Sequence, residues 1–226
     1  MKKPAAFLFD LDGTLVDTEA AWAKAIVDLV VMHGGCTTLG EILPAVVGRN
    51  WLDIDAALHE KFPVLGDTTP MQDAIELRKY YNKHAGDPRS MRIEGSIAFY
   101  RQAAALAPCA IVSGSPHDDV ARAAALCGIA ELTKLILGAG EYAAGKPSPS
   151  GYLRAAELLG VAPADCVVVE DSTVGVAAGV AAGVRVLALG RSTVVPQTFT
   201  GETWRVKDLS EFDFAKEFGD SEEAGA

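Results

Sequence analysis

Only four cysteines occur in the 226 residues, Cys36, Cys109, Cys127 and Cys166, and no two stand at metal-ligand spacing. That pattern excludes a disulfide framework or a zinc ribbon and leaves small apolar thiols in a reducing compartment. The four histidines, His33, His59, His84 and His117, are scattered. None forms an H-x-x-x-H pair or sits beside a Ser motif, so zinc hydrolysis and Ser-His-Asp chemistry lack support. Basic residues are outnumbered, with 20 Lys and Arg against 30 Asp and Glu and a formal charge of −10. A nucleic-acid partner needs a basic face, and that reading falls away. No apolar run reaches the ~18–20 residues of a membrane span. Lys2 and Lys3 precede an apolar stretch, but Asp10 and Asp12 break it far too soon for a signal peptide. A cytoplasmic protein that binds neither membrane nor nucleic acid is expected, and a monomer.

What is present begins at once. Ala5 to Phe9 reads as a buried strand that stops at two carboxylates one residue apart, in Asp10-Leu11-Asp12-Gly13-Thr14-Leu15-Val16-Asp17. Gly13 and Thr14 read as a turn. An open α/β sheet keeps its ligands outside the carboxyl ends of its strands, and paired acids there put charge at such a place. One of them can attack while the other donates a proton.

After Asp17 the pattern turns helical. Thr18 can cap, and apolar residues recur through Trp22, Ile26, Leu29 and Val30 until Gly34-Gly35. Helical patterns follow around Asn50 to Lys61 and Pro70 to Lys83, the latter with Thr69 as N-cap and Pro70 at the first helical position. No strand is evident between residues 18 and 93. From Ser96 onward helix-like and strand-like segments alternate, with strands at Cys109–Val112, Leu132–Leu137, Cys166–Val169 and Val184–Leu189. Near-continuous apolar strands between helices imply right-handed crossovers and a parallel sheet covered on both faces. Trp204 to Phe214 reads as a last short element, and the acidic segment after Gly219 as a frayed tail. The expected architecture is a doubly wound α/β core over residues 1–17 and 92–226, interrupted by a helical domain over 18–91.

Three later segments accompany the opening string in a fixed order: Ser113-Gly114-Ser115 after one strand, Lys146-Pro147-Ser148-Pro149, and Glu170-Asp171-Ser172 after another. Together with D-x-D-G-T they resemble the haloacid dehalogenase (HAD) superfamily of phosphohydrolases, over roughly residues 5 to 190. The run Asp17 to Trp22 is similar to the hinge helix of its capped sugar-phosphate phosphatase and β-phosphoglucomutase-like members. The resemblance implies a Rossmann-like core with a helical cap hinged near Asp17 and near Met91 to Glu94.

It also implies roles. Asp10 is the nucleophile and Asp12 the general acid and base. Asp10, the Asp12 carbonyl and Asp171 hold Mg²⁺, with Glu170 either a ligand or one step removed from the metal. Ser113 and the Gly114 N–H bind phosphate, and Lys146 offsets the charge of Asp10 and the phosphoryl group. Gly13 and Thr14 turn the chain so that backbone N–H groups face the phosphate. In the cap, Arg49 is the expected substrate contact, whereas Arg78, Lys79 and Lys83 read as a solvated face. Trp22 stands where the mutase carries a histidine, which favours hydrolysis, and is read as packing the cap against the core. Gly175, Gly179 and Gly183 are read as helix-packing positions, since G-x-G-x-x-G is absent. The expected activity is Mg²⁺-dependent hydrolysis of a small phosphorylated metabolite, a sugar or polyol phosphate, through an aspartyl-phosphate. A β-phosphoglucomutase-type mutase and a non-catalytic phosphometabolite-binding protein are the alternatives. A dehalogenase and a phosphonatase rank below them.

Overall fold

The computed structural model describes residues 3–46, 51–84, 88–191 and 198–219. Its centre is a six-stranded parallel sheet: β1 (Ala6–Phe9), β2 (Cys109–Val112), β3 (Thr133–Leu137), β4 (Cys166–Glu170), β5 (Arg185–Leu189) and β6 (Trp204–Val206), in the order β3-β2-β1-β4-β5-β6. β1 pairs in register with β2 on one side and β4 on the other, Leu8 lying between Ala110 and Val168. The chain winds outward both ways from β1, so the gap between the carboxyl ends of β1 and its neighbours is the switch point where such sheets bind ligands.

Successive side chains of a strand point to opposite faces, and both faces here are apolar. Phe7, Phe9, Ile111, Val167 and Leu187 look to one side and meet Phe99 and Tyr100 of α5 (Glu94–Leu106), Val120 and Ala124 of α6 (His117–Leu126) and Phe218 of α9 (Phe214–Phe218). Leu8, Ala110, Val168, Val186 and Ala188 look to the other side. They meet Tyr152 and Ala155 of α7 (Ser150–Leu159) and Val176 and Ala178 of α8 (Thr173–Ala181). Cys109, Cys127 and Cys166 are buried free thiols and Cys36 is exposed.

Between β1 and α5 stand α1 (Glu19–Met32), α2 (Leu39–Val46), α3 (Trp51–Lys61) and α4 (Pro70–His84), with no strand among the described residues. They enclose a cluster of their own: Ile26, Leu29, Ile42, Leu58, Leu65 and Leu77. At their root two strips of chain run side by side, the Asp17 N–H bonding the Met91 carbonyl at 2.7 Å and the Ile93 N–H the Leu15 carbonyl at 3.0 Å. Thr69 caps α4 as expected, in a reciprocal box in which its N–H donates to Gln72 Oε1 at 2.9 Å and the Gln72 N–H donates to its hydroxyl oxygen at 3.4 Å. α2 has no counterpart in the sequence reading, because it is short and carries Pro44. Its signal is a capping pair, the Thr38 N–H on Glu41 Oε2 at 3.1 Å. Among the described residues no helix is long and apolar enough to cross a membrane.

Candidate active site

Four chain segments converge on the switch point. Asp10 leaves the end of β1, Ser113 the end of β2 and Asp171 the end of β4, while Lys146 arrives from the loop after β3. Asp10, Ser113, Glu170 and Asp171 are all buried, and carboxylate oxygens of Asp10, Glu170 and Asp171 lie within 4.8 Å of one another. Lys146 Nζ pairs with Asp10 Oδ1, stands 2.5 Å from Glu170 Oε1 and donates to the Val112 carbonyl at 3.2 Å. Arg49 lies outside the described residues.

The turn after β1 is built for closeness. Gly13 adopts φ +86°, and a Cβ there would stand 2.1 Å from Asp171 Oδ2, so only glycine fits. The Gly13 N–H is engaged inside the turn, on the Val16 carbonyl at 2.7 Å. This corrects the expectation that it faces phosphate. Thr14 instead uses its hydroxyl, which donates to Asp171 Oδ1 at 3.0 Å.

Asp12 is held by three hydroxyls. Thr18 donates to Oδ1 at 2.8 Å, and Ser115 and Ser113 donate to Oδ2 at 2.9 and 3.3 Å. Thr18 therefore does not cap α1, as its sequence position suggests; it has no capping bond and turns its hydroxyl to the acid. Sequence reasoning missed this contact and that of Ser115, although the S-G-S spacing places two hydroxyls on one turn. Gly114 sits exposed between the two serines.

Glu170 is enclosed by protein donors. Oε1 receives Lys146 and the Tyr152 hydroxyl, the latter at 2.8 Å, and Oε2 receives the N–H groups of Asp171 and Ser172 and the Ser172 hydroxyl at 3.0–3.1 Å. Gly175 makes this possible, since a Cβ there would fall 1.8 Å from Glu170 Oε1. Gly179 packs on the sheet as expected, where a Cβ would meet Val186 at 2.8 Å, and Gly183 closes the turn after α8 with φ +70°.

Three buried carboxylates face one ammonium, and the proton affinities of Asp10 and Asp171 record the imbalance. Burial pushes the Asp10 carboxyl up to about 8; Lys146 opposes the rise, and Glu170 and Asp12 add to it. Burial, then Asp10 and Glu170, holds Asp171 well above the usual carboxylate range, against the Thr14 hydrogen bond. Burial alone lowers a lysine, but Asp10 and Glu170 outweigh it and keep Lys146 protonated above its ordinary value. Such a set lacks positive charge. Asp10 and Asp171 offer hard oxygen donors, and a divalent cation such as Mg²⁺ fits them. Glu170, with both oxygens taken, is placed to hold Lys146.

Comparison with known proteins agrees with this geometry. A model of haloacid dehalogenase-like hydrolases matches residues 4–183. Hexitol phosphatase A of Escherichia coli (strain K12) is 32% identical over 206 residues, 84% of this chain and 85% of that protein. A HAD family hydrolase from Deinococcus radiodurans R1, solved with bound phosphate and sodium, superposes with a TM-score of 0.71 at 28% identity, covering 97% of each chain. A β-phosphoglucomutase from Clostridium difficile superposes with a TM-score of 0.78 over 96% of this chain and 97% of that one, at 20% identity, and shares the fold.

Proposed function

The chain belongs to the haloacid dehalogenase-like hydrolases and is a phosphatase of that family, and from this premise we propose that it hydrolyses a sugar or polyol phosphate with Mg²⁺ through a covalent phosphate on Asp10. The observation that carries the reading is the pair at the end of β1: a buried Asp10 paired with Lys146, and two residues on an Asp12 gripped by three hydroxyls.

A carboxylate oxygen of Asp10 attacks phosphorus while the ester P–O bond breaks. Asp12, protonated, passes its proton to the departing alkoxide. The Asp12 carboxylate then takes a proton from water as that water attacks the phosphorus of the aspartyl-phosphate, and Asp10 and inorganic phosphate are released. Hydroxyl groups rotate their protons, so Thr18, Ser113 and Ser115 suit Asp12 in either form. Lys146 compensates charge that Asp10 shares with the phosphoryl group, and Glu170 with Tyr152 fixes the ammonium. With substrate bound, the Ser113 hydroxyl turns its proton from Asp12 to a phosphoryl oxygen beside the Gly114 N–H, and Thr18 and Ser115 keep the acid. Asp10, Asp171 and the Asp12 carbonyl would hold Mg²⁺, which supplies charge for the phosphoryl oxygens and lets Asp10 ionise at neutral pH. Arg49 is assigned a substrate contact from the sequence.

The sugar or polyol class is supported by the similarity to a hexitol phosphatase over most of both chains. The test is phosphate release with Mg²⁺ across sugar, polyol, nucleotide and glycolytic phosphates, with Asp10→Asn as blank. Fastest release from a hexitol or sugar phosphate, lost in the variant, supports the reading. Release that persists in the variant overturns the covalent route, and isomerisation of β-glucose 1-phosphate without release would make the protein a mutase.

A further inference from the structure

Arg78 was expected to lie on a solvated face with Lys79 and Lys83. Lys79 and Lys83 are exposed as expected, Lys83 pairing with Asp28 of the same helical layer. Arg78 of α4 instead crosses to the core, where its guanidinium pairs with Asp119 in the first turn of α6. The other oxygen of Asp119 takes Arg122 from the same helix. On its way the guanidinium lies over two rings, 5.6 Å from the centroid of Trp22 and 5.9 Å from that of Tyr81. Those rings are stacked, 4.0 Å apart and inclined by 27°. Trp22 therefore packs within the helical layer, and the contact from that layer to the core is made by the arginine seated on it.

This plate stands beside the general acid. Trp22 stands one turn after Thr18 at the start of α1, and so on the same face, its backbone N–H bonding the Thr18 carbonyl at 3.0 Å, and the Thr18 hydroxyl holds Asp12. The Tyr81 phenol is pushed up to about 12 by burial first and by the Asp12 carboxylate next. On the core side, α6 follows directly from Ser113-Gly114-Ser115, whose hydroxyls hold the same acid. A flat guanidinium stacked on an aromatic face and paired through one nitrogen with a carboxylate is a stiffer spacer than a lysine. The pair is also part-exposed, the side chains at 37% and 21%, so its work is placement and not stability.

We propose that Arg78 is a positioning residue for specificity: paired with Asp119, it holds the Trp22–Tyr81 plate against the leaving group. The enzyme then selects phosphate esters whose leaving group carries an extended C–H face, a sugar ring or polyol chain, over esters of small leaving groups. The inference rests on the phosphatase reading above.

The experiment is a double-mutant cycle of Arg78→Ala and Asp119→Ala, assayed on the best sugar or polyol phosphate and on ethyl phosphate, an ester with a small leaving group, with a second readout that needs no turnover. Each single variant is expected to raise KM for the sugar ester three- to tenfold with kcat changed far less. The selectivity ratio over ethyl phosphate should fall at least threefold, the double variant should be no worse than either single one, and Arg78→Lys should recover only part of the loss. For the second readout, with Trp51 and Trp204 replaced by Phe, acrylamide quenching of Trp22 should rise at least twofold in both single variants. Equal losses on both substrates, additive losses in the double variant, or unchanged Trp22 quenching would each overturn the proposal. If the wild type releases no phosphate from any ester, the phosphatase reading fails with the specificity claim, and the quenching decides whether the latch exists. If it does and only the cycle is flat, this inference fails alone.

Discussion

At the residue scale the site works through groups that cannot be moved by small steps. Asp10→Asn keeps the volume and removes the nucleophile we propose, so phosphate release should fall below about one per cent of wild type, as when a member of a catalytic unit is deleted. Circular dichroism should show an unchanged fold; higher turnover would remove Asp10 from its assigned step. Thr18→Val deletes one of the three hydroxyls on Asp12. A hydrogen bond to a charged group is worth about 1.5–3 kcal/mol, so kcat should drop about 10- to 100-fold with KM little altered, read from steady-state kinetics at saturating Mg²⁺. Gly175→Ala brings a methyl to within 1.8 Å of Glu170, a side chain locked by five donors. Overpacking of this kind costs about 1–3 kcal/mol, and because Glu170 fixes Lys146 the same variant should lose activity; urea melts and phosphate release measure the two effects.

At the element scale, the junction of α3 and α4 couples to pH. His59 on α3 faces Asp73 on α4 at 2.6 Å, with Asp55 at 4.0 Å and the Thr68 hydroxyl on Asp73 at 2.9 Å. The hydrogen bond to Asp73 raises the His59 pKa, against a smaller lowering by burial. A raised basic group contributes stability fully present below its unfolded pKa, about 6.5, and lost as pH rises through the folded value. Burial, and then Asp73, raises Asp55 too, which acts in the same direction. His59→Gln should therefore lower Tm more at pH 6 than at pH 9, measured by calorimetry; an equal drop at both would leave the histidine a packing group. The elements themselves show what a sequence can and cannot reveal. The apolar strands and the acids that end them were legible, because burial on both faces leaves an unbroken run and paired carboxylates at its end have few structural uses. Helices α3 and α4 were legible to within a residue or two from period and caps. α2 was not, since eight residues with an internal proline carry too little periodicity. Thr18, Ser115, Tyr152 and Arg78 were misread or unseen for one shared reason. Their partners, Asp12, Glu170 and Asp119, lie on other elements, and local patterns of hydroxyl or charge do not say which way a side chain turns.

At the scale of the whole molecule, the deficit of positive charge at the switch point would couple folding to the binding of a divalent cation. Ligands that bind only the folded state stabilise it by about 2.7 kcal/mol at a hundredfold excess over Kd, which for a chain of this size is about 5–11 °C in Tm. Mg²⁺ should produce a rise of that order, chelation should reverse it and stop turnover, and Asp171→Asn should abolish it; a thermal scan with and without Mg²⁺ decides. The sheet order has another consequence, during synthesis. β1 leaves the ribosome first, yet its two ladders are made with β2, about a hundred residues later, and with β4, about a hundred and sixty residues later. At about 5–20 residues per second β1 waits roughly 5–20 s with both edges bare, and roughly 8–32 s before β4 can cover the second. Nascent chains stalled before Glu170 should be the ones that engage holding chaperones, and their release should coincide with the emergence of β4.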